Sequence, residues 1–419
     1  MIRLAGAATP GGRRVDVDLD PATGTIAAVS TAGATPVATG TIVEPLDGYL
    51  LLPAPAEPHA HLDKALVGTR VPNPAGDLAG AITAWCAYRA SLTVEDMAAR
   101  ARQAALDCLA AGATAVRTHV DVGTDIGLRA VEALVAVREA LTGMCDLQIV
   151  ALVGVPLSGP DGAPHRALLV AALEAGADLV GGAPHIEADT RPPTRVCVDA
   201  AADAGCGVDL HTDETLDPAK LGLLDLVQSA QRGEVPGPVA ASHCVSLGVQ
   251  DADVQAKVAR VVAEAGVAVI ANPQTNLYLQ GRDHPVGTPR GLTALRPLLD
   301  AGVVVAAGGD NVRDPFNPLG RGDPLEAASL LVSAGHLTVD EAWAVVSAGA
   351  RRALGLPEVT LAPGSPAELL AIRAGSLADA IATATDDRVV VHRGRIVART
   401  TVTRVFSTLP APDPIPTPA

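Results

Sequence analysis

Aromatic side chains are scarce in this chain, since two tryptophans, three tyrosines and two phenylalanines make up only 2% of its 419 residues. Its core must therefore be built from aliphatic side chains, and 48% of the residues are hydrophobic. Long apolar runs are also missing, because none reaches the ~18 residues that a membrane span requires. The first residues lack the apolar stretch of a secretory signal. We therefore expect no membrane partner and a cytoplasmic location.

Positive charge is the second scarcity, since 31 basic residues face 46 acidic ones and the formal net charge is −15. This balance argues against a nucleic-acid partner, which needs a basic surface. Only three lysines occur, at Lys64, Lys220 and Lys257. The six cysteines include no C-x-x-C pair, which indicates free thiols in a reducing compartment.

The middle of the chain alternates regularly between strand-like and helix-like segments. Eight apolar, β-branched runs end in polar residues, at 50–62, 115–122, 147–154, 178–185, 207–214, 239–244, 267–273 and 303–311. Ala-rich segments with helical periodicity lie between them, at 94–111, 129–140, 166–175 and 253–265. Eight such units predict a (β/α)₈ TIM barrel. A doubly wound sheet is the alternative, but the polar strand ends favour the barrel.

Both ends of the chain contain short strands with turns between them. We expect residues 1–52 and 362–408 to pair into one small β-sandwich domain, because neither end has enough apolar residues to fold alone. Residues 53–361 would then form the catalytic barrel. His392-Arg393-Gly394-Arg395 is a hairpin-turn pattern within the second segment. The Pro-rich tail, 409–419, is predicted to be loose.

Histidines and carboxylates recur at the predicted strand ends, beginning with His59 and His61. Alternate residues of a strand point to the same side, so these two imidazoles can hold one metal ion. Later strand ends carry further ionisable residues, namely His119, His185, Glu187, His211, Glu214, His243 and Asp310. In a barrel all these ends converge on one face. Neutral imidazoles with a carboxylate suit one divalent ion, zinc or iron, that activates water for hydrolysis.

The same stretches resemble the amidohydrolase superfamily, in its cytosine-deaminase-like branch. The resemblance covers nearly the whole chain and rests on residues 57–63 (EPHAHLD), 116–121 (VRTHVD), 211–214 (HTDE), 241–243 (ASH), 276–282 (NLYLQGR) and 310–320 (DNVRDPFNPLG). It implies His59, His61, His211 and Asp310 as metal ligands. It also implies Glu214, His243 and Asp310 as the groups that transfer protons.

Some positions depart from the cytosine deaminase pattern. Gly154 stands where those enzymes have a glutamine for the substrate amide, and Phe316 stands where they have a tryptophan. Lys64 and Asn311 are more similar to N-isopropylammelide isopropylaminohydrolase. Cytosine is therefore doubtful as the substrate. The candidate substrate contacts are Lys64, Gly154, His185, Asn311, Phe316 and Gln280.

Taken together, these features predict a metal-dependent aminohydrolase that cleaves a C–N bond on a small nitrogen heterocycle. Opening of a cyclic amide or imide is the alternative, and a non-catalytic metal-binding barrel is a third reading. The resemblance also implies a homo-oligomer. Trp85 is expected to pack on its helix and His119 in the core. His165, His284, His336 and His392 are expected at the surface.

Overall fold

The computed structural model describes residues 1–407, and within them sixteen strands form two eight-stranded sheets. The strands are β1 (Ile2–Ala8), β2 (Arg14–Asp20), β3 (Thr25–Thr31), β4 (Ile42–Pro45), β5 (Tyr49–Pro53), β6 (Glu57–Ala60), β7 (Ala115–Val122), β8 (Asp146–Val153), β9 (Leu179–Gly181), β10 (Gly207–Thr212), β11 (Val239–His243), β12 (Ala268–Ala271), β13 (Val305–Ala307), β14 (Leu369–Arg373), β15 (Arg388–His392) and β16 (Arg395–Thr400). The predicted tail, 409–419, lies outside the described residues.

Helices connect and cover these strands. They are α1 (Leu78–Arg89), α2 (Val94–Ala110), α3 (Arg129–Ala140), α4 (Ala163–Glu174), α5 (Arg191–Ala204), α6 (Leu223–Gln231), α7 (Ala252–Ala265), α8 (Pro273–Leu279), α9 (Leu295–Asp300), α10 (Pro324–Ser333), α11 (Val339–Ala344), α12 (Ala350–Ala353) and α13 (Leu377–Thr383). A π-helical turn, Val345–Gly349, joins α11 to α12, and short 3₁₀ turns span Pro184–Ile186 and Val245–Val249. Among residues 1–407, no helix combines the length and the apolar character that crossing a membrane would require.

The first sheet is built from both ends of the chain, in the order β16-β15-β14-β5-β1-β2-β3, with β4 beside β1. Successive side chains along its strands point to opposite faces of the sheet, so they pack into two different cores. On β5, Leu51 packs with the small core of this sheet, whereas Leu50 and Leu52 pack with the barrel core. The predicted small β domain made from both termini is therefore confirmed.

The predicted hairpin turn lies between β15 and β16. Arg393 and Gly394 are its two central residues, and both have positive φ, at 47° and 72°. Two positive φ values in a two-residue loop match the right-handed twist of the flanking strands. The sequence pattern at 392–395 therefore predicted this turn correctly.

The second sheet is the barrel, with parallel strands in the order β13-β12-β11-β10-β9-β8-β7-β6. Helices lie between successive strands, so the TIM barrel is confirmed. One boundary was wrong, because the first predicted strand, 50–62, contains two strands. Its apolar start is β5 of the terminal sheet, and only β6 enters the barrel. The continuous run of apolar residues hid the change of sheet between them.

The barrel closes between β6 and the segment after β13. Asp310 bridges Ala60 there, since its N–H donates to the carbonyl oxygen of His59 at 2.9 Å and its own carbonyl accepts from His61 N–H at 3.3 Å. The buried carboxyl of Glu57 adds two bonds, from the N–H of His59 at 3.1 Å and of Gly309 at 2.8 Å. Burial raises the pKa of Glu57 to about 8.

Gly308 is required at this closure because the backbone of β6 approaches it closely. A Cβ atom at residue 308 would lie 2.4 Å from Oε1 of Glu57 and 2.9 Å from the carbonyl oxygen of His59. Neither atom can retreat easily, since both are buried and hydrogen-bonded. The glycine therefore allows the first and last strands to meet.

We expect Gly308→Ala to lower the free energy of unfolding by about 1–3 kcal/mol, as other overpacked buried positions do. Chemical denaturation monitored by circular dichroism measures the loss. Gly11→Ala is the matched control, because the nearest atom to its added Cβ is a side-chain oxygen 4.0 Å away. Equal stability of the two variants would contradict this account of the closure.

Candidate active site

Five of the predicted residues meet at the carboxyl ends of the barrel strands. His59 and His61 come from β6 and the residue after it, His211 from β10, His243 from β11, and Asp310 from the loop after β13. All five side chains are buried. The ring centroids of the three predicted imidazole ligands lie 4.7–5.2 Å apart. The fold thus brings the predicted metal ligands together.

The hydrogen bonds around His59 define which ring nitrogen carries its proton. The hydroxyl of Ser242 donates to Oδ1 of Asp209 at 2.7 Å. It must then accept from Nδ1 of His59, which lies 2.8 Å away. Nε2 of His59 is left with a lone pair and no hydrogen-bond partner, 3.7 Å from Oδ1 of Asp310.

His61 is oriented in the same way. Its Nδ1 lies 3.1 Å from the carbonyl oxygen of His119, which can only accept, and 3.2 Å from Nζ of Lys64, which can only donate. The tautomer with its proton on Nδ1, donated to that carbonyl, directs the lone pair of Nε2 at Nε2 of His211, 3.1 Å away, and at Oδ1 of Asp310, 3.3 Å away. Neither carboxylate oxygen of Asp310 has a hydrogen-bond partner among the described residues.

These lone pairs face one another in a buried space, which is costly without a cation. The ligand atoms of His59, His61 and Asp310 all lie within 4.8 Å of one another. Burial lowers the pKa of each of the three imidazoles, His211 included, so they are in the neutral form that binds metals. The residues therefore fit a divalent metal ion.

His119 is closer to this centre than the sequence suggested. Its ring centroid lies 4.0 Å from that of His59, and it joins His59 and His211 in a second group that can hold a metal ion. Neither of its ring nitrogens has a hydrogen-bond partner in residues 1–407. Its position at the end of β7 was the available signal.

Glu214 and His243 lie side by side next to the ligand group. Oε1 of Glu214 is 3.6 Å from Nδ1 of His243, whose Nε2 is 4.0 Å from Oδ2 of Asp310. Burial raises the pKa of Glu214 to about 8 and lowers that of His243 to about 3. Burial and the neighbouring carboxyls, Glu214 first, also raise the pKa of Asp310.

The backbone at two of these residues is in the left-handed region. His243 has φ of 72° and Asp310 has φ of 62°, although neither is glycine. Such conformations cost about 1–3 kcal/mol and persist where the surroundings enforce them, which is common at functional sites. At Asp310 the enforcing contacts are the two backbone bonds that close the barrel.

A cavity opens above these groups, and most of the predicted substrate contacts line it. They are Lys64, Gly154, His185, Asn311 and Phe316. Gln280 is outside this lining, and its Nε2 donates to the carbonyl oxygen of Glu214 at 3.4 Å. A direct role for these six residues in substrate binding stays a prediction.

Lys64 is buried and paired. Its Nζ donates to Oδ1 of Asp121 at 2.9 Å, and it also lies 3.2 Å from Nδ1 of His61. Burial favours a lower pKa for Lys64, but the carboxylates of Asp121 and Asp63 outweigh it and raise the pKa. Lys64 therefore keeps its positive charge next to the ligand group.

Helix α1 supplies a wall of the cavity that the sequence did not predict. Trp85 donates from Nε1 to Oδ2 of Asp121 at 2.5 Å, and Arg89 donates to the same oxygen at 2.8 Å. Leu78 and Ile82 add apolar surface. The Ala-rich segment carries no chemical motif, so only its packing over the barrel reveals its role.

Two of the four histidines expected at the surface are not fully exposed. His165 is half-buried and lines the cavity. His392 is buried, with its Nδ1 2.9 Å from Oε2 of Glu368. His165 is held by the nearby carbonyl oxygen of Pro156, whereas His392 is held by Glu368 on a different strand segment. His284 and His336 are exposed as expected.

Known proteins match almost the whole chain. The model of the amidohydrolase family matches residues 74–398. A pterin deaminase from Rhizobium rhizogenes strain K84 is 35% identical over 356 residues, which are 84% of this chain and 81% of that protein. A 5-methylcytosine deaminase from Klebsiella pneumoniae, liganded with phosphonocytosine, has a TM-score of 0.86 and 32% identity, covering 97% of this chain and 100% of that one. An N-isopropylammelide isopropylaminohydrolase from Burkholderia multivorans has a TM-score of 0.81 and 31% identity, covering 95% and 98%.

We expect Ser242→Ala to weaken metal binding by ~10–100-fold, because His59 would lose the acceptor that holds its tautomer and ring orientation. Competition with a chromophoric chelator measures the affinity. Ser242→Thr keeps the hydroxyl and should largely restore the affinity. Ser333→Ala, which removes an exposed hydroxyl on α10, is the control. Unchanged affinity in Ser242→Ala would refute this role for the hydroxyl.

The contribution of Glu214 to the stability of chelator-treated protein should fall as the pH rises from about 4.5 to about 8. In this window folded Glu214 keeps a proton that the unfolded chain has released, so folding is favoured less at higher pH. Glu214→Gln resembles the protonated acid and should gain stability over the parent by ~1.4 kcal/mol per pH unit. Denaturation at pH 5 and pH 8 measures this, with the exposed Glu264→Gln as control. Parallel behaviour of parent and Glu214→Gln would exclude the raised pKa.

Proposed function

Because this chain belongs to the amidohydrolase family, we propose that it is a metal-dependent deaminase of a small nitrogen heterocycle. It would hydrolyse the bond between a ring carbon and an exocyclic amine. The observation that carries this proposal is that the lone pairs of His59, His61 and Asp310 converge beside Glu214 in one cavity. The relatives are two deaminases and an isopropylaminohydrolase, so opening of a cyclic amide is not favoured.

The metal ligands in this proposal are His59, His61, His211 and Asp310. Three neutral imidazoles and a carboxylate suit zinc or iron, and we propose one such ion. When bound, a divalent cation lowers the pKa of water and so supplies a nucleophile near neutral pH. The burial of the four side chains favours its binding, because Nε2 of His59 and both carboxylate oxygens of Asp310 have no hydrogen-bond partner among the described residues.

Glu214 is the proposed proton carrier. A pKa raised to about 8 allows its carboxyl to hold a proton near neutral pH and to release it to the leaving amine. The neutral imidazole of His243, 3.6 Å from it, is positioned to polarise the substrate. Asp310 would accept a proton from the attacking water. These groups lie on one side of the cavity, so one bound ring can reach all of them.

The proposed substrate is a flat amino-oxo heterocycle that releases ammonia. The pterin deaminase relative favours a fused ring, and the 5-methylcytosine deaminase relative favours a pyrimidine. Ile82, Trp85 and Phe316 offer the cavity apolar and aromatic surface suited to a ring. Gly154 lacks the amide side chain that a cytosine-specific site would need, and we therefore propose the fused ring as the first candidate.

We also propose the predicted division of the chain, with a small domain from residues 1–52 and 362–408 and a catalytic domain at 53–361. A cytoplasmic location is proposed because all six cysteines are free thiols. The acidic net charge supports a protein without a nucleic-acid partner. A homo-oligomer is proposed from the family resemblance alone.

Glu214→Gln should keep its metal and lose ~10²–10⁴-fold in kcat with pterin, because the amide cannot transfer the proton. His61→Ala and Asp310→Ala should lose both the metal and the activity, because each removes a ligand. Ammonia release measures turnover, and elemental analysis measures metal content.

Glu264→Gln, on the exposed face of α7, is the matched control and should behave like the parent. Metal-loaded Glu214→Gln with undiminished turnover would exclude the proposed proton carrier. A ring-opened product in place of ammonia, detected by mass spectrometry, would replace deamination by the alternative reaction.

A further inference from the structure

The imidazole ring of His165 lies against the backbone just after the end of β8. Gly154 follows this strand and carries no side chain, and the ring of His165 lies over it. A Cβ atom at residue 154 would be 3.2 Å from Nε2 of His165 and 3.4 Å from its Cδ2. The imidazole therefore occupies the space into which a side chain at residue 154 would extend.

His165 reaches this place from the first turn of α4. Its Nδ1 lies 2.9 Å from the carbonyl oxygen of Pro156. A carbonyl oxygen only accepts, so Nδ1 carries the proton and Nε2 of the neutral ring carries a lone pair. No described residue forms a hydrogen bond with Nε2. The Nδ1 bond thus leaves an acceptor free beside the cavity.

The same cavity holds the proposed reaction centre. His165 and Gly154 line it together with His61, Glu214 and Asp310. The accessible lining of this cavity is mainly apolar, and Val155 and Ile186 contribute to it. A fixed acceptor in mainly apolar surroundings discriminates strongly between ligands with and without a matching donor, because a mismatch leaves a polar group unpaired.

We propose that His165 is a specificity-determining residue whose Nε2 accepts a hydrogen bond from a ring N–H of the bound heterocycle. It takes over the position that Gly154 leaves empty. The ligand class is an oxo-heterocycle with an N–H beside its carbonyl group. This inference rests on the proposed function, because it names the edge of the substrate that is hydrogen-bonded in the same cavity.

Two substitutions separate this role from a purely structural one. The short side chain of His165→Asn can place its amide nitrogen near the position of Nδ1 and keep the bond to Pro156, but it has no atom at the position of Nε2. The longer side chain of His165→Gln places an amide group near Nε2 and can turn its oxygen to the ligand. If His165 binds the substrate, the atom at the position of Nε2 is needed. If His165 only stabilises the loop through its bond to Pro156, the atom at the position of Nδ1 is needed.

The experiment uses the zinc-loaded full chain, with pterin and cytosine as substrates and 2,4-dioxopteridine as an unreactive ligand. With pterin, His165→Asn should raise KM by ~10–100-fold and change kcat little, because a contact that binds substrate and transition state equally affects KM. Calorimetry should show the same loss for 2,4-dioxopteridine. His165→Gln should recover most of both, and metal content should match the parent.

His284→Asn, at an exposed histidine on a surface loop, is the matched control. Parent-like KM and affinity in His165→Asn, or a larger loss in His165→Gln than in His165→Asn, would overturn the inference and leave the proposed function intact. A metal-loaded parent that neither converts nor binds any of the three rings would contradict the proposed function, and this inference with it.

Discussion

The backbone pairing of Asp310 with the strand that carries His59 and His61 is the contact on which the rest of the site depends. It joins the last barrel strand to the first, and the same residue presents the carboxylate that faces both imidazoles. Closure of the barrel and assembly of the ligand group therefore depend on the same residue. Gly308 and Glu57 support it, because the strands meet too closely there for any side chain at residue 308.

Behind the ligands, a buried chain of polar groups keeps the lone pairs directed inward. Arg117 donates to Asp209, which accepts from Ser242, which in turn accepts from His59. Burial opposes the ionisation of Asp209, but the neighbouring His119, Arg117 and Ser242 outweigh this effect and lower the pKa of Asp209. The carboxylate is thus charged and holds the hydroxyl as an acceptor for the imidazole. A cation bound at Nε2 of His59 would complete this alternation of donors and acceptors.

The sequence predicted most of the barrel because strand and helix periodicities are local properties. α3 matches its predicted bounds, and α2 and α7 differ from theirs by one residue each. The first strand was divided wrongly because both sheets need an apolar run, and nothing local marks where the chain leaves one for the other. The role of α1 as a wall of the cavity was missed because its Ala-rich residues carry no chemical motif.

By itself, the sequence determined that His59, His61, His211, Glu214, His243 and Asp310 would share one face. This follows because each lies at the carboxyl end of a strand, and parallel barrel strands all end at the same face. Only the tertiary structure decided what surrounds them. His165 was expected at the surface, and it came to the cavity because residue 154 has no side chain to exclude it. Such a contact depends on the space left by both partners, and that space exists only in the folded chain.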